Sequence, residues 1–124
     1  MECFTDASYS PQTRTAIIGW SIPQLDVFQL EVLRCDGVAF AEKMATVKAM
    51  EKCRSSGHLG NIKVYTDHQG SEKSLETWNQ QYGPIELIYV KGHKKNIDKT
   101  PQEIEFTKVD RATRKKLREL IGGK

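Results

Sequence analysis

The chain has 124 residues, 38% of them hydrophobic and 28% charged, with a formal net charge of +3. That length suits one compact domain over residues 1–124 and is too short for two. No apolar run approaches a membrane span and no basic-then-apolar segment opens the chain, so an intracellular, cytoplasmic protein is expected and not a membrane-embedded or secreted one.

Residues 2–9 (ECFTDASY) predict a first strand, because Cys3, Phe4 and Tyr9 suit a half-buried sheet position. Asp6 does not. A carboxylate inside a strand is costly unless something neutralises it, and a metal ion is one such partner. Ser10-Pro11-Gln12-Thr13 is a turn signal, and residues 15–22 (TAIIGWSI) predict a second strand in which Gly19 marks a bulge or a close backbone contact. After a turn at 23–26, residues 27–34 predict a third strand, with Phe28, Leu30 and Val32 alternating against Gln29, Glu31 and Leu33. Connections this short favour an antiparallel meander.

From Phe40 the period changes, and residues 40–53 predict a helix with Glu42, Ala45, Ala49 and Cys53 on one face. Two alanines there let the helix sit close to a sheet. Gly57 and Gly60 stop it. Residues 62–66 predict a fourth strand ending at Asp67. A second helix is expected at 71–82, with Leu75, Trp78 and Tyr82 as its buried stripe, and a fifth strand at 85–90. Residues 92–105 read as a polar, Pro-containing loop. The last helix is expected at 107–121, with Asp110 in its first turn and Val109, Ala112 or Thr113, Leu117, Leu120 and Ile121 as its apolar stripe. The order β-β-β-α-β-α-β-α predicts a mixed five-stranded sheet, antiparallel over its first three strands and parallel after them, flanked by helices.

Three cysteines, Cys3, Cys35 and Cys53, match neither a disulfide framework nor a zinc motif and read as reduced core thiols. Charge is uneven along the chain. Residues 108–124 carry seven basic side chains against two acidic ones, and Lys91, Lys94, Lys95 and Lys99 lie just upstream. Such a run is either a solvated helix face or a patch that meets phosphates.

Four carboxylates fall where these elements can converge. If the first and fourth strands are parallel neighbours, Asp6 and Asp67 emerge together, and Glu42 joins them from a helix packed on the same strands. Taken singly, Asp110 would only favour a helix N-terminus, Glu42 a surface and His93 a solvated loop, while His58 and His68 read as structural.

Together these segments resemble the ribonuclease H family. Thr5-Asp6-Ala7-Ser8, Ala41-Glu42-Lys43-Met44-Ala45, Tyr65-Thr66-Asp67-His68-Gln69, Val90-Lys91-Gly92-His93 and Val109-Asp110-Arg111-Ala112 are similar to its signature segments, in order and over nearly the whole chain. The resemblance implies a ribonuclease H-like fold and a minimal type 1 enzyme. Such an enzyme cuts the RNA strand of an RNA/DNA hybrid to 5′-phosphate and 3′-hydroxyl ends. Hard oxygen ligands suit Mg²⁺, with Mn²⁺ as substitute, and two ions about 4 Å apart can activate water and stabilise the departing 3′ oxygen. By the same resemblance Asp6 bridges both ions, Glu42 and Asp67 complete the leaving-group site, and Asp110 holds the ion that orients water. His93 assists proton movement or product departure, and Gln69 matches a minor-groove glutamine.

The chain also departs from the family pattern. The stretch between Asp67 and His93 leaves room for one helix and one strand, so the basic protrusion of many members is missing. Lys94, Lys95 and Lys115 are expected to replace its grip on phosphates. Val38, Ala39 and Phe40 stand where polar residues commonly read ribose 2′-hydroxyls, and Phe106 where an asparagine often precedes the last aspartate. Two other readings stay open: a same-fold nuclease for another nucleic acid, such as a DNA junction or transposon end, and a non-catalytic nucleic-acid-binding module. Either a free-standing protein or a domain of a larger polymerase-type chain fits.

Overall fold

A computed structural model describes residues 1–90 and 100–122. The chain starts as a meander of β1 (Glu2–Ser10), β2 (Thr15–Ile22) and β3 (Val27–Arg34), paired antiparallel β1 to β2 and β2 to β3. Helix α1 (Val38–Ser55) crosses to β4 (Ile62–Thr66), which pairs parallel with β1. A 3₁₀ turn (Gln69–Ser74) leads into α2 (Leu75–Tyr82), then β5 (Ile85–Tyr89) pairs parallel with β4, and α3 (Pro101–Leu120) follows. Among the described residues the sheet order is β3-β2-β1-β4-β5. This is the mixed, helix-flanked sheet expected from the sequence.

The two helical layers are sorted by the period of β1. Cys3 and Thr5 face α1, where Thr5 and Thr46 share a hydrogen bond of 3.2 Å. Phe4 and Ser8 face the opposite way. Phe4 joins Tyr65, Val90, Phe106 and Val109 in a cluster under α3, and Ser8 bonds Thr113 at 3.0 Å. Every residue of β2 is buried because both faces are covered, which is why its sequence is nearly continuously apolar. Gly19 permits that covering on the α3 side: a Cβ there would lie 2.8 Å from Thr113 Cγ2 and 2.9 Å from Leu30 Cδ2. The glycine marks a close approach of the helix.

Three expectations change. β3 is an edge strand, so its alternation does not translate into burial: Phe28 and Val32 stay about half exposed. Helix α3 begins at Pro101, not 107, because Thr100 and Glu103 form a capping box and Pro101 occupies the first turn. Asp110 consequently sits in mid-helix and owes nothing to the helix N-terminus. The α3 stripe is Phe106, Val109, Thr113 and Leu117, while Leu120 and Ile121 run past the sheet into solvent. Among the described residues no helix is long and apolar enough to cross a membrane.

Arg54, at the end of α1, ties the connections together. Its guanidinium donates to the carbonyls of Tyr82 (2.6 Å), His58 (2.7 Å), Gly60 (2.8 Å) and Pro84 (3.4 Å). One side chain thus joins the α1–β4 loop to the α2–β5 turn.

Candidate metal centre and its groove

Asp6 occupies the middle of β1, opposite Gly19 on β2. Asp67 follows the last residue of β4, and the parallel β1–β4 pairing brings it to the same sheet end. Glu42 projects from the second turn of α1. That helix is aligned on β1 by a seam of polar pairs: the Cys3 and Cys53 sulfurs, the Thr5 and Thr46 hydroxyls, and the Ala7 main-chain N–H with the Glu42 carboxylate. The seam carries Glu42 to the strand position beside Asp6. Oxygens of Asp6, Glu42 and Asp67 lie within 4.8 Å of one another.

The electrostatics of this arrangement are unfavourable by themselves. Asp6 is 3% exposed and Glu42 5%. Among the described residues no basic side chain pairs with Asp6, Glu42 or Asp67. Asp6 Oδ2 and Glu42 Oε1 are buried without a hydrogen-bond partner. Burial first, then the charge of Glu42 and a hydrogen bond with Asp110, pushes the Asp6 carboxyl up to about 10. Burial and the neighbouring Asp67 push Glu42 up to about 9. Buried oxygen donors of like charge that lack protein partners fit a hard divalent cation such as Mg²⁺.

These shifts carry a sign for stability. The folded values exceed those of the free carboxyls, 3.8 and 4.5, so the folded chain holds protons that the unfolded chain releases. Their contribution is full below about pH 4 and is lost as pH rises through about 9 to 10. In chelator, the melting temperature should therefore fall between pH 5 and pH 9 more steeply for the parent than for Glu42→Gln, as thermal denaturation would record. Added Mg²⁺ should recover most of the loss at high pH, because it binds the ionised folded form.

Around the carboxylates runs a groove of about 520 Å³, lined by Asp6, Glu42, Asp67, Asp110, Val38, Tyr9, His68, Arg114 and Arg118 among others. Asp110 faces Asp6 from α3 and pairs with Arg114 at 3.1 Å, an i,i+4 contact. Arg114 and Arg118 share the helix face of Asp110 one and two turns on, so the groove has a cationic wall. The sequence reading singled out Lys115 instead. Lys115 is exposed on α3 and is not among the groove residues. The i+4 and i+8 steps from Asp110 were the available signal. His68, read as structural, lines the groove, and desolvation lowers its affinity for a proton. Gln69 is exposed, and its main-chain carbonyl accepts from the Tyr89 hydroxyl at 2.9 Å. His93, Lys94 and Lys95 lie outside the described residues.

No protein-family model matches the chain, and no curated protein matches it by sequence. Solved structures do match in shape. The native protease-reverse transcriptase of Prototype Foamy Virus superposes with a TM-score of 0.63 at 18% identity, over 92% of this chain and 20% of that one. This chain therefore spans a fifth of that protein's length. LC11-RNase H1, in complex with an RNA/DNA hybrid, gives 0.59 at 12% identity over 90% of this chain and 97% of that chain. A foamy viral protease-reverse transcriptase in complex with dsDNA gives 0.54 at 12% identity, covering 92% of this chain and 90% of that one. With its strand order, its flanking helices and these likenesses together, the fold is that of the ribonuclease H family.

Proposed function

We propose that this chain is a metal-dependent endonuclease that hydrolyses the RNA strand of RNA/DNA hybrids, leaving 5′-phosphate and 3′-hydroxyl ends. The observation that carries this reading is the convergence of Asp6, Glu42 and Asp67 within 4.8 Å, with buried oxygens left unpartnered. A pure binder of phosphates gains nothing from such a concentration of negative charge. Asp6, Glu42, Asp67 and Asp110 would hold a pair of Mg²⁺ or Mn²⁺ ions. When bound, these supply an activated water and neutralise the departing 3′ oxygen.

The remaining work falls to the chain itself. Arg114 and Arg118 receive backbone phosphates on the α3 wall. Arg114 also holds the Asp110 carboxylate in its rotamer. His93 takes the role of moving a proton or releasing product, Gln69 meets the minor groove, and Lys94, Lys95 and Lys115 add phosphate contacts. Arg118→Glu should raise KM at moderate salt and lower the salt slope of binding by about one, leaving kcat little changed, as steady-state kinetics across a salt series would show.

A second reading, cleavage of another duplex, is favoured by the apolar Val38 on the groove at the start of α1, where no side chain offers a hydrogen bond to a 2′-hydroxyl. One digest separates the two. Labelled hybrid, duplex RNA and duplex DNA are incubated with Mg²⁺, Mn²⁺ or chelator and the cuts are mapped. Cuts confined to the RNA of the hybrid, and absent in chelator, are expected. Cleavage of duplex DNA would favour the second reading, and no cleavage with either cation would overturn both.

A further inference from the structure

We propose that Cys3 and Cys53 are a redox modification site: a thiol pair that closes to a reversible disulfide and ties β1 to α1. Their sulfurs lie 3.2 Å apart and both residues are fully buried. Closing the bond requires an approach of roughly 1 Å, to the S–S length of about 2.0 Å. Neither sulfur is free to wander. Cys3 sits in β1, in register with Val64 on β4, and Cys53 precedes Arg54, whose guanidinium is fixed on four carbonyls.

The pair is also chemically unequal. The hydrogen bond between the two sulfurs, together with the Arg54 charge, lowers the Cys53 thiol, whereas that bond and burial raise Cys3. The Arg54 charge favours a thiolate at Cys53, so the first attack is written from Cys53; attack by Cys3 gives the same disulfide. With a peroxide as oxidant, Cys53 sulfur attacks one peroxide oxygen, the O–O bond breaks, and the leaving hydroxide takes the thiol proton as water. Cys3 sulfur then attacks the Cys53 sulfenic sulfur. The S–O bond breaks, and the hydroxyl departs with the Cys3 proton as a second water. Two thiols are oxidised, one peroxide is reduced, and the S–S bond remains.

Because both sulfurs are buried, the oxidant enters when the end of α1 opens, so the rate follows local unfolding. The linkage closes the far end of the same polar seam that carries Glu42 beside Ala7. It does not depend on what the groove cleaves. The third thiol, Cys35, is partly exposed and sits against the Gly37 carbonyl, so Cys35→Ser removes a competing product without touching the seam.

The full-length Cys35→Ser chain is incubated with hydrogen peroxide a few degrees below its melting temperature, then read by intact mass, thiol titration and non-reducing peptide mapping. The expected result is loss of two hydrogens, no free thiols, and co-eluting Cys3 and Cys53 peptides that separate on treatment with dithiothreitol. The oxidised chain should melt several degrees higher, as a cross-link spanning about 50 residues constrains the unfolded state. Two thiols still titrating after that incubation, or oxygen added to one sulfur in place of a cross-link, would overturn the proposal. Peptide mapping of the unsubstituted chain gives the same decision if the variant folds poorly.

Discussion

Asp6→Asn is expected to lower hybrid cleavage on the order of 10³-fold or more, since loss of a central ligand removes several kcal/mol of charge stabilisation. Hybrid binding should be kept or slightly tightened, because one negative charge beside the phosphates is gone. The same substitution should stabilise the chain in chelator at pH 8: the amide needs no proton to sit in a site where burial and Glu42 hold the carboxyl up to about 10. Opposite signs for activity and stability are the signature of a residue whose position serves chemistry at the cost of the fold. Single-turnover cleavage and thermal melts on one preparation test both. Undiminished turnover by the cleanly purified variant would reject the assignment of Asp6 as a ligand.

Arg54→Met should have the largest effect on stability, about 2–4 kcal/mol or roughly 8–15 °C in melting temperature. The fork of the guanidinium reaches four carbonyls on two connections, and a thioether satisfies none of them. Arg54→Lys should recover little, since an ammonium cannot reproduce the planar geometry. Arg54 lies at the end of α1 opposite Glu42, so kcat of the surviving folded protein should change far less than its melting temperature. Chemical denaturation of the two variants measures the loss. A midpoint equal to the parent's would show that water replaces the fork at no cost.

Much of the architecture was legible because local pattern and burial agree. In β2 an unbroken apolar run met two covering layers, and in α1 the alanine steps met the sheet at the positions their period implied. Elsewhere a local signal competes with the tertiary structure or with its own neighbours. The apolar residues of β3 promised a buried face, but nothing pairs with that edge among the described residues. The start of α3 was written in Thr100, Pro101 and Glu103, yet the polar composition around them suggested a loop. With the helix starting there, Asp110 stands in mid-helix, and Arg114 and Arg118 follow it on the same face.

By itself the sequence determined the element order, the two sheet periodicities and which carboxylates could take part, because these follow from spacing along one chain. Only the tertiary structure decided that Asp6, Glu42 and Asp67 share a space 4.8 Å across, that Arg114 and Arg118 wall it, and that two cysteines fifty residues apart touch. Those distances depend on how strand register and helix crossing combine in three dimensions, and no one-dimensional period encodes that combination.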